Sequence, residues 1–557
     1  MNNVKKITAI VLVAVIVVAA IVLGIVFKQQ RGEEYDSTKR HLNIGNYDGA
    51  LGDDWLKYAA DLFEKKYNNT VEVHITNEKD LYTSTTLLST MKTNGLDMYL
   101  LNNLEYDAHV AAGTLMNITD VVNEDLTEYG ENESIDDKML DIVKSYYKRE
   151  DNSYYAVPFH MCFTTVVYDI DLFEERGFYF DENGELILER KGVEKRKGAD
   201  GISGTSDDGL PITMSEFFEL LDEMVGQSVK PFAWTGQYPL YRQRWLASIW
   251  ADYEGADNWQ LNNTFSGDYT FPKDTFTAEE ADKFGLTINA DGTQSVTISN
   301  KNAYLLQKQP GKEYALEFAY RLMSDSRYYT SSSFLPSQSH LLTQGEFLQS
   351  RKNNAPIAMM VDNTWWEIEA KGVFDEMSIA SDQWARENRH FGVMPIPKAD
   401  DGSSAEGETY LCTGGDSVIC IYEGAKEPEL AKEFLKFLHT DEMLRYFNTY
   451  NYVMRPYDYE LQEEDRAKMT DFSLDMYDKV RGNLDNVVFY SLFPNDLKRA
   501  NTSTFSQWAW TTTVNGATYN EPFRDFLNVK SLNVEKWMDG MFNTYYPTWE
   551  TKYSKWI

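Results

Sequence analysis

The chain has 557 residues, enough for two large lobes with an ample core. A formal net charge of −34 argues against a nucleic-acid partner, because phosphate binding needs clustered Lys and Arg, and it fits a soluble body exposed at a cell surface. Aromatic residues reach 14%; burial accounts for part of that, and a sugar binder needs further exposed rings on which a pyranose can stack its apolar C–H face.

In chain order, Lys5 and Lys6 precede an uninterrupted apolar run from Ile7 to Phe27. The run is long enough to cross a bilayer, so residues 1–28 read as a membrane anchor or uncleaved signal, with 29–39 as a polar tether. From His41 the pattern changes. Leu42 and Ile44 alternate as a strand, Asp53 and Asp54 offer a helix cap, and Trp55, Ala59, Leu62, Phe63 and Lys66 follow at helical spacing up to Asn68–Asn69. Val71, Val73 and Ile75 predict a second strand. A helix starting near Asp80 carries Leu87, Leu88 and Met91, and Met98, Leu100 and Leu101 predict a third strand. This β-α-β-α-β order implies a parallel sheet with right-handed crossovers. Ligands of such sheets bind beyond the carboxyl ends of the strands, which makes Tyr47, Asp48, Asn102 and Asn103 the first site candidates.

Tyr154–Phe159 leads through Pro158 into a strand at Val166–Tyr168, a crossing between lobes that carries His160 and Cys162. Residues 181–210 form an insertion ending in an Asp/Gly-rich stretch. There Asp200, Thr205, Asp207 and Asp208 offer oxygens to a structural Ca²⁺, the competing reading being a plain Asp/Gly turn. Helices follow at Thr213–Met224 and Tyr241–Trp250. Between them Trp234 and Tyr238 crowd a Gly-containing loop without core periodicity, which points to ligand contact. Residues 257–300 read as an irregular insertion or hairpin. Ala355–Met360 is a strand that ends at Asp362, Asn363 and the adjacent Trp365 and Trp366, one of which can pack while the other faces ligand. Phe391–Pro397 is another strand. Thr413-Gly414-Gly415-Asp416 precedes Ser417–Tyr422, a helix follows Pro428, and Arg455–Pro456 marks a second crossing. The remainder reads as mainly helical.

Three cysteines, Cys162, Cys412 and Cys420, make no disulfide framework, although a Cys412–Cys420 bridge stays open. The seven histidines are dispersed, and no HExxH, CxxC pair or GxSxG elbow occurs, which disfavours a hydrolase with a familiar metal or serine site.

The segments WLKYAADLFEKKY (55–67), GTLMNITDV (113–121), YYAVPF (154–159), VYDIDLF (167–173), IAMMVDNTWW (357–366), GVMPIPK (392–398) and AKEPELAKEFLKFLHT (425–440) occur in this order. With that order and spacing the chain resembles the extracellular solute-binding proteins of bacterial ABC importers, in particular carbohydrate-binding family 1. The resemblance implies an α/β, two-lobe periplasmic-binding-protein-like fold with a hinge and an interlobe cleft. Lobe 1 would take residues 40–160 and 400–453, and lobe 2 residues 161–399 and 454–557. It puts a ligand aromatic at Trp365 or Trp366, a glycine-rich loop at Gly414, Gly415 and Asp416, and a crossing-strand polar residue near His160 or Cys162. The lipobox cysteine usual in Gram-positive members is missing: Leu23-Gly24 runs into Ile25.

The expectation is therefore a monomeric receptor without catalysis or required cofactor, anchored by its N-terminal helix on the outer side of the membrane and feeding importer permease subunits. Trp234 with Trp365 or Trp366 would stack a sugar, while Tyr47, Asn102, Asp362, Asp416 and Arg455 would hydrogen-bond its hydroxyls. A secreted carbohydrate-active enzyme is the rival, since 87 acidic residues could hide a catalytic carboxylate pair. A ligand sensor without transport is a third reading.

Overall fold

Alternating apolar residues make β1 (Arg40–Asn46), with Leu42 and Ile44 fully buried. α1 (Asp54–Lys66) buries Trp55, Leu56, Ala59, Ala60 and Phe63 along one face, and Asn68 and Asn69 stop it at φ +52° and +57°, a region asparagine tolerates. The cap expected of Asp53 does not form. Its carboxylate instead accepts from Asn77 Nδ2 and pairs with Lys57 at 2.7 Å. β2 (Val71–Asn77), α2 (Ser84–Thr90) and β3 (Met98–Leu101) complete the opening unit. β1 runs parallel to both other strands, as the β-α-β-α-β pattern predicts. The computed structural model describes residues 36–47, 49–77, 84–187, 194–414, 417–490 and 505–552. The expected start of the second helix at Asp80 lies outside them, as does the apolar run 7–27. Among the described residues no helix is long and apolar enough to cross a membrane.

The next elements are β4 (Val157–Pro158), β5 (Thr164–Asp169), α3 (Met214–Gly226), β6 (Lys230–Trp234) and α4 (Pro239–Glu254). They are followed by α5 (His340–Ser350), β7 (Ile357–Asn363), α6 (Trp366–Glu369), β8 (Phe391–Met394), β9 (Val418–Ile421), α7 (Pro428–Phe437) and α8 (Asp441–Asn451). The strands assemble into one sheet ordered β2-β1-β3-β9-β4 and another ordered β8-β5-β7-β6. β9 is antiparallel to β3 and β4, whereas β7 runs parallel to β6 and antiparallel to β5. One apolar core joins the first sheet to one face of the second, through Val167, Ala233, Met360 and Phe391, and the other core lies on the second sheet's opposite face, where Trp508, Trp510, Trp537 and Trp549 from the C-terminal helices fill it. Of the two readings of 257–300 the hairpin is the nearer: the helix Ala256–Thr264 is followed by a three-stranded antiparallel sheet.

Three stretches meet between the two sheets. Residues 159–163 join β4 to β5. Thr413 and Gly414 follow the short strand Tyr410–Cys412, which pairs with Val487–Phe489, and Ser417 precedes β9. Residues 452–460 lead out of α8. The segments bind one another: Met161 N–H donates to Met454 O at 2.8 Å, Thr413 N–H to Cys162 O at 2.7 Å, and Phe159 N–H to Ser417 O at 3.0 Å. The three cysteines are buried thiols, and no disulfide joins Cys412 and Cys420. Cys420 is held in mid-strand opposite Tyr99, and Cys412 pairs in the backbone with Phe163.

Candidate functional site

Both sheets aim strand ends at these crossings. β3 ends beside the start of β9, with Leu101 opposite Val418, so Asn102 and Tyr47, whose N–H donates to Leu100 O, stand at the interlobe seam on the lobe-1 side. Both are half-buried, and Asn103 is exposed. In lobe 2, β7 ends at the seam: Thr364 N–H donates to Phe163 O, and Thr164 Oγ1 donates to Asn363 Oδ1 at 2.7 Å. Asp48, Gly415 and Asp416 lie outside the described residues.

Trp365 sits at that end, half-buried, with its ring edge-on to His160 at 5.6 Å and an interplanar angle of 84°. His160 is buried in the first crossing, and burial, with Arg455 second, pushes its pKa down to about 3, so the imidazole is neutral. Neither Trp365 Nε1 nor His160 Nδ1 meets a hydrogen-bond partner among the described residues, and the same holds for Trp55 Nε1 and both amide atoms of Asn451. Buried polar atoms are nearly always paired, so a cluster of orphans marks a place built for another polar partner. Trp55 packs on Phe159 at 5.7 Å and Phe447 at 4.8 Å, and Asn451 lies one turn beyond Phe447 on α8. These orphans lie around one crossing, while others, among them Trp234 Nε1, Trp250 Nε1 and Trp366 Nε1, lie within the cores. Gly414 is needed for the close approach there: a Cβ on it would stand 3.0 Å from Cys162 Cβ.

The lobe-2 wall continues through Tyr238, which the sequence marked, and through His340, Gln344 and Glu369, which it left unmarked. Tyr238, 40% exposed, lies 5.5 Å from the His340 ring, and Tyr241 stacks on His340 at 6.2 Å. His340 Nε2 is 3.3 Å from Glu369 Oε1. Gln344 Nε2 donates to both Glu369 Oε2 at 2.8 Å and Asp362 Oδ2 at 3.1 Å. Burial first, and the Glu369 charge second, raise the Asp362 carboxyl to a pKa of about 8. Glu369 was legible in principle, being one helical turn past Trp365; His340 carried no local signal.

Four expected contacts are structural instead. Trp234 is fully buried among Tyr329, Phe334 and Phe523, because the segment around Tyr328–Phe334 binds the outer edge of β6, the edge strand of its sheet, and Phe523 packs over the ring. Trp366 is fully buried against Phe374, Phe391 and Phe472. Asp362 turns into lobe 2, where Asn363 N–H and Gln344 satisfy it. Arg455 is 1% exposed: Nε donates to Phe159 O at 2.9 Å, Nη1 to Leu438 O, and Nη2 meets His439 Nε2 at 2.8 Å. A buried cation needs such partners, so this one ties crossing segments together rather than facing a sugar. In the Asp/Gly loop, Asp207 accepts from Asp200 N–H and Thr205 Oγ1, and Asp208 from Gly204 N–H. These carboxylates serve the loop's own N–H groups, and Asp200, Asp207 and Asp208 do not converge on one cation position.

A recess of about 480 Å³ lies along the seam, lined by Tyr58, Tyr446 and Tyr450 from lobe 1 and by Ile368, Lys371 and Arg386 from the other side. Tyr58 stacks on Tyr446 at 4.1 Å, and Tyr446 on Tyr450 at 5.8 Å. Its volume falls in the range of small-ligand sites.

The fold is shared with solved receptors at low identity. RafE, in a complex with raffinose, is 13% identical with a TM-score of 0.51, over 92% of this chain and 100% of that one; its apo form comes from Streptococcus pneumoniae. The GacH receptor of Streptomyces glaucescens, solved unliganded and with acarbose, is 14% identical with a TM-score of 0.53, over 92% and 99%. The maltotriose binding protein of Thermus thermophilus is 12% identical with a TM-score of 0.50, over 90% and 98%. No curated protein sequence matches the chain. The family profile described as bacterial extracellular solute-binding protein matches residues 58–469, and the chain belongs to that family.

Proposed function

We propose that this chain is the extracellular receptor of an ABC importer and takes up a sugar or oligosaccharide between its lobes. The observation that carries the reading is the group of unpaired buried polar atoms, Trp365 Nε1, His160 Nδ1 and Trp55 Nε1, set beside half-exposed rings at the crossing. A sugar asks for that combination: ring faces for its C–H surface and polar atoms to replace lost water. The Glu369 carboxyl stands on one wall, held by the Gln344 amide, which the buried Asp362 fixes from behind. The apolar run 7–27 anchors the monomer to the outer face of the membrane, facing the permease.

A thermal-shift screen over mono- and oligosaccharides tests the reading. A saturable rise in Tm with an uncut glycan is expected. Shortened glycans would favour the enzyme, and no response across the panel would remove the sugar from the proposal.

A further inference from the structure

We propose that His41, Glu72 and His74 bind a divalent cation of the zinc class at the outer end of the lobe-1 sheet. The register of β1 and β2 sets His41 beside Glu72 and Asn43 beside His74. Side chains alternate along a strand, so His41, Glu72 and His74 share one face, while Leu42, Ile44 and Val71 are buried. β2 is the edge strand of its sheet, and the three side chains are only partly buried, so an ion can reach them from solvent.

The geometry suits coordination. His41 Nδ1 lies 3.0 Å from His74 Nε2 and 3.5 Å from Glu72 Oε2, and His74 Nε2 lies 3.9 Å from the same oxygen. A triangle with these sides has a centre about 2.0 Å from each corner, the usual Zn–N and Zn–O distance. The tautomer is also prepared. His41 Nε2 is 2.9 Å from Asp36 O, and a carbonyl can only accept, so Nε2 carries the proton and Nδ1 presents its lone pair to the centre. Lys39 Nζ approaches Glu72 at the other oxygen, Oε1, at 3.8 Å, and leaves Oε2 facing the imidazoles. Two imidazoles and one carboxylate suit Zn²⁺ or its first-row neighbours, whereas Ca²⁺ and Mg²⁺ need more oxygen ligands.

A bound ion would clip the edge strand to β1 and, through Asp36, fix the chain where it enters the lobe. The sugar side of β1, at Asn46, is five residues further on, roughly 17 Å away. The cation should therefore change stability and leave sugar affinity alone.

The rival arrangement needs no ion: His74 Nε2–H donates to His41 Nδ1. Zinc titration of the full chain in non-ionic detergent, freed of metal beforehand, separates the two. One Zn²⁺ per chain with a rise in Tm is expected. His41→Gln, His74→Gln and Glu72→Gln should each weaken binding on the order of tenfold or more, with the far-UV spectrum unchanged. Ca²⁺ and Mg²⁺ should leave Tm where it was. The absence of stoichiometric zinc binding, or binding that survives all three substitutions, would overturn the site in favour of the histidine pair or of scattered surface carboxylates.

Discussion

Adjacent tryptophans illustrate how little a residue's type says about its role. Trp366 opens α6 and turns into an aromatic cluster, so Trp366→Ala should cost about 3–5 kcal/mol of stability through the cavity it leaves. Trp365, one residue earlier, keeps a half-exposed ring; the indole N–H groups of both tryptophans meet no hydrogen-bond partner among the described residues, so exposure alone separates them. Trp365→Ala should weaken sugar binding by about 1–3 kcal/mol while the apo Tm barely moves. Calorimetry paired with urea denaturation reads both, and the same loss of stability in the two variants would refute the distinction. Asp362 supports a second prediction. Its folded-state pKa of about 8 lies above the ordinary 3.8, so folding favours the protonated form. Its stabilising contribution is complete below 3.8 and is lost as pH climbs through about 8. Asp362→Asn should therefore flatten the fall in stability between pH 5 and 8 by at least about 1.4 kcal/mol, the worth of one pKa unit. Glu254, raised to about 7 by burial, keeps a residual slope of the same sign. A variant with the slope of the wild type would sink the assignment.

At the scale of elements, the crossings act as one unit because each borrows partners from the others. Arg455 caps the carbonyls of Phe159 and Leu438, and His439 passes the network on to Tyr457, whose hydroxyl donates to Pro158 O at 2.7 Å. Arg455→Ala strands these acceptors, each costing about 1–3 kcal/mol when buried and unpaired, so a loss of at least about 3 kcal/mol is expected in urea denaturation. A loss below about 1 kcal/mol would mean that the crossings hold without the guanidinium. The sequence marked two crossings, at Pro158 and at Arg455–Pro456. The contacts that Thr413 and Ser417 make with the first crossing were not marked, because the Gly-Gly-Asp run between them signals a turn and read as a site loop.

For the whole molecule, two sheets joined through narrow crossings allow one lobe to rotate against the other. If the seam takes the sugar, ligand should shrink the radius of gyration measured by small-angle scattering; an unchanged profile with saturating ligand would argue for a preformed, static cleft. Charge acts at this scale too. A formal net charge of −34 repels itself most in the compact state, so raising the salt from about 0.01 to 0.15 M, which shortens the Debye length from about 30 to 8 Å, should raise Tm.

The sequence by itself determined the opening β-α-β-α-β unit, the sites of two crossings, the family and the candidate positions of Tyr47, Asn102 and Trp365. These follow from periodicity, strand ends and motif order, which are local properties. Only tertiary structure decided that Trp234 and Trp366 are core, that Arg455 is a tie between segments, and that His340 and Gln344 join the wall. The reason is physical: a side chain's exposure depends on what packs over it, and Phe523 covers Trp234 from a part of the chain almost 300 residues away. His41 and His74, 33 residues apart in the chain, likewise meet only because the register of two parallel strands brings them to 3.0 Å.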